Sequence, residues 1–151
     1  NGSGQIVAAG TTGAISELQE NPLAGTRVIP LQVAGAFHTR FMRPAVETMQ
    51  VYSQSIQMSD PQIALWSNNG GRKISSGAEF VSLMVNQISS PVRWDLCMEA
   101  MLNAGVSGII ELAPAGTLVG LAKRAMPGIP AVAVKTPENL EAALSLINNG
   151  V

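Results

Sequence analysis

The sequence predicts an α/β fold with a parallel sheet, and two observations carry that prediction. From residue 61 onward, short apolar runs alternate with stretches of helical periodicity. This alternation is typical of parallel strands joined by crossover helices. The 151 residues are also 46% hydrophobic and only 13% charged, against a usual charged share of about 25%. Such a chain buries a sizeable core or presents surface to another part of a protein.

The first sixty residues predict two strands and two helices. A short buried strand is expected over 4–10, where the apolar run is closed by glycine. A helix with a threonine cap follows over 11–22. The β-rich run 26–37 predicts a second strand, with Pro30 marking an edge or a bulge. From 41 to about 58, apolar residues recur at helical spacing and predict a second helix.

The remaining residues predict three strands and four helices. The strands are expected over 61–68, 106–114 and 129–136. The helices are expected over 77–89, 92–105, 116–128 and 137–150. Gly105 stands at the C-cap position of one helix, and Pro137 can open the last one. The run "NNGGRK" (68–73) predicts a turn, because its residues tolerate positive φ.

Charge and cysteine usage exclude several classes of protein. The formal net charge is −1, so nothing indicates a nucleic-acid or anionic membrane surface. No apolar run reaches the roughly 18 residues of a membrane span, and no signal peptide is recognisable. The single cysteine, Cys97, excludes an internal disulfide and favours a reducing cytoplasm. The chain begins at Asn1 rather than methionine, which fits an excised or truncated piece, although processing also explains it.

The single histidine, His38, lies at the end of an apolar run and just before a helix. Functional groups gather at the carboxyl ends of strands in open α/β sheets, and imidazole is a common general base. A structural histidine fits the same position, so both roles remain open. No Gly-x-Ser-x-Gly turn supplies a nucleophile, and Cys97 is expected to be a buried small hydrophobe. One histidine and one distant cysteine without an acidic cluster predict no metal site.

Five segments, taken in order, resemble the blocks of a known family. They are "NGSGQIVAAG" (1–10), "GAFHTRFMRPA" (35–45), "SNNGGR" (67–72), "VNQISSPVRW" (85–94) and "ELAPAGTLVGLAKR" (111–124). Together they resemble the C-terminal half of the malonyl-CoA:acyl carrier protein transacylases, the acyltransferase family of fatty-acid and polyketide synthesis. The resemblance covers nearly the whole chain, and five blocks in matching order make it specific.

The resemblance implies a fold with two lobes. One is an α/β-hydrolase-like core with a parallel sheet, and the other is a small ferredoxin-like lobe inserted into that core. Residues 1–37 would form the second half of the small ferredoxin-like lobe. Residues 38–151 would form the C-terminal part of the large core.

The resemblance also implies ping-pong transfer of a malonyl group from coenzyme A to the phosphopantetheine thiol of acyl carrier protein, with no cofactor of the enzyme's own. In the family, a serine in a Gly-His-Ser-x-Gly elbow attacks the thioester and a histidine activates it. His38 matches that histidine, and Gln87 matches the residue whose backbone carbonyl orients it. The elbow serine, the oxyanion-hole glutamine and the malonyl-binding arginine have no match in this chain. The chain alone is therefore expected to be inactive and to need the missing N-terminal half.

Four further residues are implied as substrate contacts. Phe37 precedes the histidine, as is typical of members that use malonyl units, whereas members that prefer methylmalonyl often carry serine there. A ring beside the acyl pocket would crowd an α-methyl group, a discrimination of about 1–3 kcal/mol. Asn1 and Gln5 match a block close to the cleft, and Asn68 is expected to cap a turn near it. Turn or packing roles remain open for Asn1 and Gln5.

Two other functions remain open. The chain could be a non-catalytic α/β piece that docks to a carrier protein or synthase, or a different hydrolase-like enzyme such as a thioesterase. The matching blocks argue against the thioesterase. Lys123 and Arg124 could meet an acidic carrier protein, although stabilisation of a helix C-terminus explains them more simply.

Overall fold

The computed structural model describes residues 1, 2 and 4–149, and it confirms an α/β composition. The chain divides into two compact units. The N-terminal unit comprises Val7–Asn69 and Lys73–Val92. The C-terminal unit comprises Asn1–Ile6, Gly70–Arg72 and the chain from Arg93 onward. The lobe boundary expected between residues 37 and 38 stays a prediction.

The N-terminal unit contains the elements α1 (Thr12–Glu20), a 3-10 helix (Arg40–Met42), α2 (Arg43–Ser53), β1 (Leu65–Trp66), β2 (Lys73–Ile74) and α3 (Gly77–Gln87). Local signals define its helices. The Thr11 hydroxyl accepts a hydrogen bond from the Ala14 N–H at 3.3 Å, which confirms the predicted cap. Helix α3 is capped by Ser76 and buries Val81 and Val85.

The strand expected over 61–68 is shorter than predicted and is not part of a parallel sheet. Only Leu65 and Trp66 are in strand conformation, and they pair antiparallel with Ile74 and Lys73. The turn that follows, with Gly70 at a φ of 77°, returns the chain at once. Tight connections produce antiparallel pairs, whereas parallel pairs need a long crossover.

The two strands predicted over 4–10 and 26–37 are wrong. The first region contributes a single bridge between Gly2 and Gln5, and the second contributes no ladder in the described chain. Their apolar side chains are exposed, among them Ile6, Val7, Ile29, Leu31 and Val33. A strand needs a neighbour to satisfy its N–H and C=O groups, and none of the described residues supplies one.

The C-terminal unit contains α4 (Trp94–Asn103), β3 (Ile109–Leu112), α5 (Thr117–Ala125), β4 (Ala131–Val134), a 3-10 helix (Pro137–Asn139) and α6 (Leu140–Asn149). Strands β3 and β4 pair in parallel, with Ile109 opposite Ala131, and α5 forms the crossover. The predicted strand–helix–strand order is therefore confirmed here. Gly105 follows α4 with a φ of 74°, as its C-cap position predicted.

The core of the C-terminal unit forms where α4 and α5 meet. Met98, Leu121, Ala122 and Met126 are buried together. Cys97 is only 1% exposed, which confirms the expected buried small hydrophobe, and burial raises the pKa of its thiol. None of the helices among residues 1, 2 and 4–149 is long and apolar enough to cross a membrane.

A buried carboxylate holds the start of α5. Glu111 accepts hydrogen bonds from the backbone N–H groups of Gly116 at 2.8 Å, Val119 at 2.9 Å and Leu118 at 3.0 Å. Desolvation acts to raise the pKa of Glu111, but these donors and the charge of Lys135 outweigh it, so the pKa lies below its usual 4.5. An ionised carboxylate therefore satisfies N–H groups that have no partner inside the helix.

Glu111→Gln is expected to destabilise the chain by about 2 kcal/mol near neutral pH, because an amide replaces a charged acceptor of three bonds. Folding lowers the pKa of Glu111. Its contribution to the free energy of unfolding is therefore fully present at a pH above the pKa that Glu111 has in the unfolded chain. The contribution is lost as the pH falls through the pKa that Glu111 has in the folded chain. Urea unfolding at about pH 7 and about pH 4 measures this, and the difference from wild type should shrink at the lower pH. Glu99→Gln is the control, because Glu99 is exposed on α4. Equal losses of unfolding free energy in both variants would contradict the role of Glu111.

Candidate active site

His38 is held by two backbone carbonyls at the end of α3. Its backbone N–H donates to the carbonyl oxygen of Ile88 at 2.8 Å, and its ring Nδ1 lies 2.8 Å from the carbonyl oxygen of Gln87. These carbonyls are available because the last turn of a helix leaves its acceptors without intrahelical partners. Two consecutive residues therefore fix both the backbone and the ring of His38.

The ring contact fixes the tautomer of His38. A backbone carbonyl only accepts hydrogen bonds, so Nδ1 must carry the proton and donate it. In the neutral ring the other nitrogen, Nε2, then presents a lone pair. The described residues give Nε2 no hydrogen-bond partner, and the side chain is exposed. The arrangement supplies an oriented base that can take a proton from a group brought to it.

The backbone of His38 is unusual. Its φ is 64°, the one positive value among the non-glycine residues that the structure describes. The left-handed region costs an L-residue about 1–2 kcal/mol, and His, Asn and Asp occupy it more often than other side chains do. Non-glycine residues in strained conformations cluster at functional sites, so this conformation is a second reason to regard His38 as functional.

A cavity of about 300 Å³ lies beside His38 within the N-terminal unit. Its walls are mainly apolar and come from the segment before the histidine, from β1 and from one face of α3. They include Phe37, Trp66, Phe80, Leu83 and Met84. Polar groups of Ser67, Asn68 and Gln87 also line it. Apolar walls with a few polar groups are typical of small-molecule sites.

The cavity brings together four residues that the sequence singled out: His38, Gln87, Phe37 and Asn68. The rings of Phe37 and His38 have centroids 6.4 Å apart and are tilted by 56°. His38 also borders a larger cavity of about 740 Å³, whose other walls come from residues 7–19 and 31–37.

Asn1 and Gln5 lie in the C-terminal unit. The Gln5 side-chain oxygen accepts a hydrogen bond from the Arg124 guanidinium at 3.2 Å, and its backbone N–H donates to Gly2 at 3.0 Å. For Gln5, these bonds provide the structural role that the sequence left open. A substrate contact for Asn1 or Gln5 stays a prediction.

Sequence reasoning missed several residues of the site. The carbonyl of Ile88 carries no side-chain signal, since any residue presents the same group. The wall residues Phe80, Leu83 and Met84 could have been found, because their spacing places them on one face of α3. Among the residues described, no cluster of three His, Cys, Asp or Glu side chains could hold a metal ion.

Comparisons with known proteins identify the relatives of this chain. No family model matches it. The malonyl CoA-acyl carrier protein transacylase of Mycobacterium tuberculosis is 45% identical over 146 residues, which are 97% of this chain and 48% of that protein. The protein of the same name from Bacillus subtilis is 32% identical, over 97% of this chain and 47% of its own length.

Solved structures agree with the sequence relatives. The crystal structure of MCAT from Mycobacterium tuberculosis matches with a TM-score of 0.84 and 44% identity, covering 88% of this chain and 44% of that one. A malonyl-transacylase solved in complex with its type II PKS acyl-carrier protein matches with a TM-score of 0.75 and 31% identity, covering 83% of this chain and 40% of that one. The chain thus spans about half the length of the curated relatives it matches. The predicted resemblance is confirmed, and the chain is homologous, over nearly all of its length, to about half of a malonyl CoA-acyl carrier protein transacylase.

Proposed function

We propose that this chain supplies the histidine-bearing half of a malonyl-CoA:acyl carrier protein transacylase. The observation that carries the proposal is the 2.8 Å contact between His38 Nδ1 and the carbonyl oxygen of Gln87, which leaves Nε2 as a base. The homology to transacylases supplies the reaction. The chain spans about half of its relatives, and on the family resemblance we place the nucleophilic serine in the half that it does not match.

In the proposed first half-reaction, Nε2 of His38 takes the proton of a serine hydroxyl as the serine oxygen attacks the malonyl thioester. The carbon–sulfur bond breaks, coenzyme A leaves, and its sulfur receives the proton from the imidazolium. An acyl-serine ester remains. In the second half-reaction the phosphopantetheine thiol gives its proton to Nε2, and its sulfur attacks the ester. The serine oxygen leaves and recovers the proton.

Acyl carrier protein is the proposed partner, and its phosphopantetheine is the only prosthetic group that this reaction needs. The support is a structural neighbour at 31% identity that was solved with its acyl-carrier protein. The 300 Å³ cavity beside His38 is the proposed malonyl site. On the same homology we place Asn68 at that site, and we propose Asn1 and Gln5 as further substrate contacts.

We also propose that exposed apolar surface of this chain is covered, in the complete protein, by a segment equivalent to the N-terminal half of the relatives. Residues 1–37 would complete a small ferredoxin-like lobe, and residues 38–151 would complete the hydrolase-like core. The support is the apolar surface of the two regions that form no ladder, where Ile6 is 87% and Val33 is 69% exposed. Ile29, Leu31 and Val33 are exposed within one short segment, and contiguous exposed apolar surface is typical of interaction sites.

A transfer assay tests the proposed function. The catalytically complete protein, which contains this chain together with the half that carries the nucleophile, is incubated with malonyl-CoA and holo-acyl carrier protein. Mass spectrometry then follows the malonyl group on the carrier. We expect malonyl on holo-carrier and none on carrier that lacks phosphopantetheine. A complete, folded protein that binds the carrier without transferring malonyl would instead support a non-catalytic docking module. Transfer by the isolated chain would reveal a nucleophile within these 151 residues.

Phe37→Ser is expected to lower the preference for malonyl-CoA over methylmalonyl-CoA by about tenfold, because the ring no longer crowds an added methyl group. The ratio of the two kcat/KM values measures the preference. Phe41→Ser is the matched control, since Phe41 is similarly exposed and is absent from the walls of the cavity. An unchanged ratio of the two kcat/KM values in Phe37→Ser would show that Phe37 packs in the fold without selecting the acyl group.

A further inference from the structure

The side chain of Gln87 holds the loop that follows α3. Its Nε2 donates to the carbonyl oxygens of Ser90 at 2.9 Å and Pro91 at 3.0 Å. Both partners only accept, so the amide nitrogen must face them and its orientation is fixed. One side chain therefore connects the last turn of α3 to two consecutive residues of the segment that leads away from it.

Backbone hydrogen bonds hold the same segment only weakly. The N–H groups of Ile88, Ser89 and Ser90 reach their acceptors at 3.4, 3.2 and 3.3 Å, longer than the usual 2.9–3.0 Å. The two bonds from the Gln87 side chain are the shorter ones. Because hydrogen bonds weaken with distance, the side chain contributes much of the order in residues 88–91.

The two carbonyls that hold His38 lie where α3 meets this segment, one on Gln87 and one on Ile88. Both contacts, from the ring to Gln87 and from the backbone N–H to Ile88, are 2.8 Å long. They restrain a residue whose φ of 64° is unfavourable without support from its surroundings. A displacement of about 1 Å in the carbonyl of Gln87 would break the ring contact, and displacements of that size in positioning groups can cost about 100-fold in rate.

We propose that the side-chain amide of Gln87 is a positioning residue, which sets the tautomer of His38 by clamping residues 88–91. The role is separate from that of the Gln87 backbone carbonyl, which every substitution at this position keeps. Its catalytic meaning rests on the proposed function, since it matters for transfer only if His38 is the base. The side-chain oxygen Oε1 is buried and has no partner among the residues described, so the nitrogen alone makes the clamp.

The test measures the His38 tautomer directly. Nitrogen-15 spectra of the labelled protein report which ring nitrogen carries the proton, and the His38→Gln spectrum assigns the signals. Gln87→Met keeps the length of the side chain and removes both donors. Gln87→Glu keeps the shape and places a carboxylate against two carbonyls. In both variants we expect the ratio of the Nδ1–H to the Nε2–H form to fall by about five- to tenfold, the value of one lost hydrogen bond.

Gln50→Met is the matched control, because Gln50 is an exposed glutamine on α2 of the same unit; its spectrum should equal that of the wild type. Circular dichroism identifies the folded variants. An unchanged tautomer ratio in a folded Gln87→Met or Gln87→Glu protein would overturn the proposal. The proposed function fails separately. If the tautomer ratio shifts in the Gln87 variants but the complete wild-type protein transfers no malonyl, the role of the Gln87 amide is supported and the proposed transacylase function is wrong.

Discussion

His38→Asn is expected to lower kcat/KM for malonyl transfer by about 10³-fold or more in the catalytically complete protein, with its fold retained. General-base catalysis contributes about 10²–10⁴-fold to rates, and His38 is the one histidine that this chain contributes. Asparagine is the informative substitution because it tolerates the left-handed backbone at this position, where φ is 64°. Steady-state kinetics with malonyl-CoA and holo-acyl carrier protein measure the loss.

His38→Ala is the companion variant that separates chemistry from stability. Alanine removes the same ring but tolerates a positive φ less well, so we expect an additional loss of stability of about 1 kcal/mol. Both variants should be equally inactive, whereas the alanine variant should unfold at a lower temperature than the asparagine variant. Near-normal transfer by a folded His38→Asn protein would remove His38 from the proposed mechanism.

Gly77→Ala is expected to destabilise the N-terminal unit by about 3 kcal/mol, the upper range for overpacking. A Cβ at Gly77 would overlap the carbonyl group of Met58 and lie 2.6 Å from the carbonyl oxygen of Ser59. The backbone N–H of Gly77 also donates to the Asp60 carboxylate at 2.9 Å, so the start of α3 cannot move without losing that bond. Thermal unfolding should show a fall in Tm of about 10 °C.

Gly13→Ala controls for the substitution itself. Gly13 lies in α1 of the same unit, and a Cβ there meets nothing within 4 Å. Alanine is the better helix former by about 1 kcal/mol, so this variant should be neutral or slightly stabilised. Equal melting temperatures for Gly77→Ala and the wild type would show that the segment around Met58 yields easily. The tight packing described at that position would then be wrong.

The elements that sequence predicted correctly are those that local residues determine. The helices that begin after Thr11 and Ser76 formed within a few residues of their predicted limits, because a cap and a periodic apolar face lie within the same segment. The strands over 4–10 and 26–37 did not form, because a strand also needs a neighbour, which no apolar pattern in the segment can supply.

The site divides in the same way. The sequence singled out His38 as a candidate, and the resemblance singled out Gln87, because side chains and motifs carry both. The role of the Ile88 carbonyl and the left-handed backbone of His38 depend on how two segments meet, which neither segment specifies by itself. The hydrogen bonds from the Gln87 amide escaped prediction because the resemblance pointed to its backbone alone.

The division into two units distributes the chromophores of the chain evenly. Of the two tryptophans, Trp66 belongs to the N-terminal unit and Trp94 to the C-terminal unit. Trp66 lines the cavity beside His38, so with Trp94 replaced by phenylalanine the remaining emission comes from the cavity wall. In that variant, intrinsic fluorescence without any label tests whether an acyl group enters the proposed malonyl site. In a second variant, with Trp66 replaced by phenylalanine, the emission of Trp94 reports the melting of the C-terminal unit.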